Sequence, residues 1–248
     1  MIGVVNLLDD RFNYNQKGFT SIINQLIEMC LYHYEKYNNL NLYLSDPRVE
    51  NFFDLPKPEL SFGNHYNVSN EYLEMFFRTG FPNYNAHNVV LGPDIEKRNF
   101  IFNSIFKLKN EFFLDNDTYD VGIHIRGTDK KSEISEIKIE SIFQKIDFFL
   151  ENFNSNPIIF ISTDEFKYIE YIKNEYKNIK IDHFTDNIYS YNGEPIHFRN
   201  DRKILDYQVL RDVYTLKNCK NLFYCYSNVS LMSIMIGNNN YNQKILLN

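Results

Sequence analysis

Tryptophan is absent from this 248-residue chain, and cysteine, proline and glycine are scarce at three, seven and nine residues. So little proline and glycine excludes a collagen-like or low-complexity chain. Cys30, Cys219 and Cys225 have no metal-ligand spacing and form no disulfide framework, so they read as free thiols in a reducing compartment. No stretch approaches the ~18 consecutive apolar residues of a membrane span. The start, MIGVVNLLDDRF, has neither a basic segment nor a long apolar run, so no signal peptide is expected and the expected location is cytoplasmic. Positive charge is also short: the net charge is −6 and the pI about 5.6. That balance excludes the basic stripe of a nucleic-acid-binding surface.

What is present suits a folded α/β chain. Hydrophobic residues make up 44% and aromatics 17%, carried by 22 Phe and 19 Tyr, which is enough for a substantial core. The length allows one large domain or two small ones. Ile2–Leu8 reads as a strand. Ser21–Tyr37 follows with Ile22, Ile23, Leu26, Ile27, Cys30, Leu31 and Tyr34 at helical spacing, and Leu40–Leu44 as a second strand. This is a βαβ unit. Residues 46–70 are loop-rich, Glu71–Phe77 is a short helix candidate, and Phe81–Pro93 is irregular. Ile95–Leu114 reads as a helix with Phe102, Ile105, Phe106 and Leu108 on its apolar face.

The second half alternates regularly. Strands are predicted at Tyr119–Ile125, Pro157–Ser162, Lys180–Phe184, Asn221–Tyr226 and Lys244–Leu247. Helices are predicted at Ile137–Phe153, Glu165–Tyr176, Asp201–Lys217 and Val229–Ile236, with a long polar loop at Thr185–Arg199. Such alternation implies a parallel sheet covered on both faces. The expected organisation is two Rossmann-like halves, residues 1–110 and 111–248, with the first half reduced.

Val121 through Lys130 is the most informative segment. An apolar strand containing His124 runs into Arg126-Gly127-Thr128-Asp129-Lys130. Ligands of open α/β sheets sit beyond the carboxyl ends of strands. An arginine there can hold two phosphate oxygens at once. His124 and Arg126 are two residues apart and share one strand face. The plainer readings are a charged surface turn and a satisfied core histidine. Elsewhere, Gly18 opens a helix and could serve a phosphate or simply start the helix. Asp164 follows an apolar strand and could cap the next helix. Asp212 lies mid-helix, where Asp is disfavoured. Ser227 and Asn228 fit an N-cap or a phosphate-binding helix start.

The segment His124-Ile125-Arg126-Gly127-Thr128-Asp129-Lys130 resembles the His-x-Arg-x-x-Asp-Lys segment of the fucosyltransferase superfamily, above all its α-1,6-fucosyltransferases. The resemblance continues at Phe160-Ile161-Ser162-Thr163-Asp164, similar to a family strand ending in Ala-Thr-Asp. It continues again from Leu210-Arg211-Asp212 to the Ser227 turn, where the fifteen-residue step from Asp212 to Ser227 matches the family's. It covers roughly residues 118–237. The resemblance implies a GT-B fold, two Rossmann-like halves around a cleft, and an inverting transfer of fucose from GDP-fucose to a glycan hydroxyl.

By the same resemblance, His124 and Arg126 contact the diphosphate, and Gly18, Thr163 and Asp164 face the nucleotide donor. Asp212 reads the guanine N–H donors, and Ser227 with Asn228 binds phosphate. Lys130 matches the family lysine. The catalytic base is Glu133, or Glu136. Many relatives carry a second arginine where this chain has Gly127. No metal or other cofactor is expected, because Arg, His and helix N-termini supply the charge. The expected partners are the nucleotide-sugar donor and a glycan acceptor. Two rivals remain open: a transferase using another nucleotide sugar, and a non-catalytic nucleotide- or glycan-binding protein.

Overall fold

The computed structural model describes residues 2–6, 18–61, 63–72, 95–112, 118–128, 138–153, 156–196 and 201–247. The chain divides into two compact units, Met1–Phe113 and Leu114–Asn248.

The first unit is built on a three-stranded parallel sheet ordered β2-β1-β4, with β1 Ile2–Asn6, β2 Leu42–Ser45 and β4 His65–Asn67. Helix α1, Phe19–Tyr37, connects β1 to β2 and ends at Asn38 in the left-handed conformation (φ 51°). Ile22, Ile23, Leu26, Ile27 and Cys30 form its buried stripe, in the spacing read from the sequence. The helix lies so close to the sheet that a Cβ on Gly3 would sit 2.6 Å from the His33 ring. Helix α2, Ile95–Ile105, is tied to α1 by a buried ion pair between Arg98 and Glu28.

Two expectations for this unit change. Residues 46–70, expected as loop, contain a short turn of 3-10 helix at Val49–Asn51 and strands β3, Phe53–Asp54, and β4. The helix expected over Ile95–Leu114 stops at Ile105 and gives way to β5, Lys107–Leu108, which pairs antiparallel with β3. Packing explains the break. Phe106 stacks on Phe102 and meets Phe53 edge-on, filling the space between α2 and the β3–β5 ribbon. Residues 68–72 are helical; the rest of the Glu71–Phe77 candidate and the irregular 81–93 segment lie outside the described residues.

The second unit carries five parallel strands: β6 Val121–Ile125, β7 Ile158–Thr163, β8 Lys180–Asp182, β9 Asn221–Tyr224 and β10 Gln243–Leu246. Their order is β10-β9-β6-β7-β8. The connecting helices are α3 Ile139–Glu151, α4 Phe166–Glu175, α5 Arg202–Lys217 and α6 Asn228–Ile236. Strand alternation divides the core. Val121, Ile123, Ile125, Ile159 and Ile161 pack with Ile142, Ile146, Ile169 and Ile172 of α3 and α4. Each fully buried Ile contributes roughly 1.5–3 kcal/mol. The opposite face takes α5. There Gly122 admits the helix and its end, since a Cβ would sit 3.0 Å from Leu216 of α5 and 2.7 Å from Cys219 Sγ just beyond it.

Candidate active site

Strand β6 enters the sheet first, and its two neighbours, β7 and β9, belong to opposite halves of the winding. The order reverses between β6 and β9, and such a reversal opens a crevice at the carboxyl ends of the strands. Three polar turns converge there: 126–128 after β6, 163–165 after β7, and 225–228 after β9.

Asp164 fastens the first two together. Its carboxylate accepts the Gly127 N–H at 2.7 Å and the Thr128 hydroxyl at 2.7 Å. It does not cap α4, whose first turn is set by Glu165, with Thr163 Oγ1 accepting the Glu165 N–H at 3.2 Å. The plainer reading of Asp164 therefore gives way to a cross-strand brace that fixes the turn following Arg126. Arg126 itself is half-buried at the strand end.

Gly127 stands where there is no room for a side chain. A Cβ at this position would lie 2.3 Å from Glu165 Oε2 and 2.7 Å from the Tyr168 ring. Glu165 is buried and pairs with Lys167 through Oε1 at 2.8 Å, while Oε2 has no hydrogen-bond partner. A carboxylate thus fills the volume that a side chain at 127 would need.

His124 is internal, 5% exposed, and both ring nitrogens are engaged. Nδ1 meets Ser162 Oγ at 3.1 Å and Nε2 meets Ser227 Oγ at 2.7 Å. Burial and the nearby Arg126 charge lower its pKa to about 3, so the ring is neutral. Through these two bonds His124 ties β6 to β7 and to the start of α6.

Asp212 lies on the buried face of α5 and is 7% exposed. Oδ2 accepts the Ser162 hydroxyl at 2.7 Å and Oδ1 accepts an Asn187 N–H at 3.2 Å. Burial raises its pKa to about 6, against the lowering effect of these two bonds. Its neighbour Arg211 forks onto Asp186, with bonds of 3.1 and 2.6 Å, and lies over the Phe184 ring at 3.8 Å. Gln208 accepts the Ile188 N–H and donates to the Asp186 carbonyl. Together Gln208, Arg211 and Asp212 pin the 184–190 loop against α5.

Ser227 N-caps α6 by accepting the Ser230 N–H at 3.3 Å. Asn228 is the first residue of that helix, whose N-terminus lies at the strand-order reversal. Helix N-termini favour phosphate. Gly18 lies in the first unit, at the extended N-cap of α1, with nothing within 4 Å of an added Cβ. Lys130, Glu133 and Glu136 lie outside the described residues.

Ser162, Glu165 and Asn187 are the site neighbours that sequence reasoning missed. Among the described residues there is no group of three or more His, Cys, Asp or Glu able to hold a metal. Asp115-Asn116-Asp117, an Asp-x-Asp triplet that the metal-free expectation leaves out of account, lies outside them. No helix among the described residues is long and apolar enough to cross a membrane.

No protein-family model matches the sequence, and no curated protein is significantly similar to it. Solved structures do match. The fold is α/β and GT-B-like, of the fucosyltransferase type. NodZ α-1,6-fucosyltransferase soaked with GDP-fucose aligns with a TM-score of 0.51 at 11% identity, over 95% of this chain and 92% of that one. The same enzyme co-crystallised with GDP aligns at 0.50 and 11%, over 95% and 91%. A further NodZ structure, from Bradyrhizobium, gives 0.48 at 12%, over 95% and 92%.

Proposed function

We propose that this chain is an inverting glycosyltransferase that moves fucose from GDP-fucose to a glycan hydroxyl. One observation carries the reading: Arg126, on a turn braced by Asp164, and the N-terminus of α6 meet at the strand-order reversal of a fold shared with NodZ. NodZ has been solved with GDP and after soaking with GDP-fucose.

In this reading the acceptor hydroxyl oxygen attacks fucose C1 from the face opposite the diphosphate. The C1–O bond breaks, and its electron pair leaves with GDP. Arg126 and the α6 N–H groups neutralise that growing charge without a metal, the kind of fixed electrostatics that lowers such barriers most. Lys130 adds a second cation. The acceptor proton passes to a carboxylate, Glu133 or Glu136. Asp212 reads guanine through Oδ1, which an incoming N–H takes over from Asn187, while Oδ2 stays with Ser162. Thr163 shapes the turn at the donor.

A second reading is a nucleotide-binding protein without turnover. It is favoured by Glu165, which puts a carboxylate where a second cation would be. Incubation with GDP-fucose and a panel of glycan acceptors separates the two. GDP release with a fucosylated product supports the transferase. GDP binding without product across the panel supports the binder.

A further inference from the structure

We propose that Ser162 is a positioning residue of the donor site, holding His124 in the tautomer protonated on Nδ1 and thereby fixing the Ser227 hydroxyl and the start of α6. The placement of a donor site there rests on the proposed function; the hydrogen-bond chain does not.

Four buried side chains form an unbroken line: Ser227, His124, Ser162 and Asp212. Ser162 is the in-register partner of His124 on the adjacent parallel strand, so the two side chains lie on one face. An ionised carboxylate can only accept hydrogen bonds. The single Ser162 proton therefore goes to Asp212 Oδ2, 2.7 Å away. Ser162 Oγ is left to accept, so the N–H must be on His124 Nδ1. A neutral imidazole has one N–H, which leaves Nε2 as an acceptor. The Ser227 hydroxyl donates to it at 2.7 Å. Its lone pairs remain for the Ser230 N–H that caps α6. The direction of every bond follows from the carboxylate end.

Among the described residues, Ser162 is the side chain that bonds to both that carboxylate and the imidazole. Without its hydroxyl, Nδ1 loses its acceptor and the proton can move to Nε2. Ser227 would then accept from the ring, its own proton would lose Nε2 as acceptor, and the hydroxyl would have to turn, loosening the cap where the diphosphate is expected. His124 stays neutral throughout, since burial and Arg126 both oppose its protonation.

The test is ring ¹⁵N NMR of His124 in wild type, Ser162→Ala and Ser162→Thr at about pH 8, where Asp212 is ionised, with GDP titrated into each. The signal is assigned by its loss in His124→Asn. The expected wild-type pattern is a protonated Nδ1. Ser162→Ala should shift the proton wholly or partly to Nε2 and weaken GDP binding about two- to tenfold, the worth of one neutral hydrogen bond. Ser162→Thr, which keeps the hydroxyl, should restore both. A wild-type ring protonated on Nε2 overturns the proposal without any variant. So does an unchanged tautomer in a folded Ser162→Ala. If the tautomer shifts but wild type binds no GDP, the positioning of His124 is upheld and the nucleotide-site reading falls.

Discussion

Gly127 and Glu165 are interlocked: the Glu165 carboxylate occupies the space that any side chain at 127 would enter, with Oε2 only 2.3 Å from where a Cβ would be. The carboxylate could swing aside, but the Tyr168 ring, 2.7 Å from the same point and 4% exposed, cannot. Gly127→Ala should therefore destabilise the second unit by about 1–3 kcal/mol, the usual cost of overpacking. In a Glu165→Ala background the cost should fall, because part of the obstruction is gone. Urea unfolding of the four proteins measures this. An unchanged midpoint in Gly127→Ala contradicts the interlock.

Arg126 should matter to the ligand and little to the fold. It is half-buried on a turn whose shape is set by Asp164, Gly127 and Thr128. Arg126→Lys keeps the charge but loses the two-pronged contact. Losing one charge-assisted bond costs roughly 1.5–3 kcal/mol, so GDP affinity should fall about ten- to a hundredfold with an unchanged melting temperature. Near-normal binding by Arg126→Lys would mean that the diphosphate is held elsewhere.

Asp212 and His124 give stability a distinctive dependence on pH. Burial raises the folded-state pKa of Asp212 to about 6 from 3.8. Between these values the native state binds the proton more readily, so this group makes stability fall as pH rises. His124 does the opposite. Its folded pKa is about 3 against 6.5, so in that window the unfolded state binds more protons and stability rises with pH. The two slopes largely cancel in the wild type. Asp212→Asn removes only the first, so stability of the variant should climb more steeply from pH 4 to 6, by the order of 2 kcal/mol. Its amide oxygen still accepts from Ser162, which preserves the chain of bonds. Parallel slopes for the two proteins in urea titrations across this window would show that Asp212 is not held with a raised pKa.

Much of the second unit was legible because its signals are long. Val121–Ile125 and Ile158–Ser162 are apolar runs bounded by polar turns, and the intervening helices repeat at 3.6 residues. The first unit was less legible. Strands β3, β4 and β5 are two or three residues long and carry no periodicity. The run Phe102, Ile105, Phe106, Leu108 looks helical to its end, although aromatic packing turns the chain after Ile105. At the site, the basic strand end marked Arg126, and the spacing marked Asp212 and Ser227. Their connections were not visible. Ser162 stands where the resembling family segment has Ala, so that segment points only to Thr163 and Asp164. Only the register of β6 against β7 places its hydroxyl beside His124. Glu165 has the sequence pattern of an ordinary helix start, and only the fold places its carboxylate against Gly127.

In the proposed function the second unit holds a guanosine diphosphate through protein cations and helix N–H groups. Calorimetric titration of the intact chain with GDP, ADP and UDP in the presence of EDTA tests it most directly. GDP should bind at least about tenfold more tightly than ADP or UDP, the discrimination expected of one charged hydrogen-bond pair to the base. EDTA should leave this affinity unchanged. Equal affinity for the three nucleotides, or GDP binding that vanishes with EDTA and returns with a divalent metal, would contradict it.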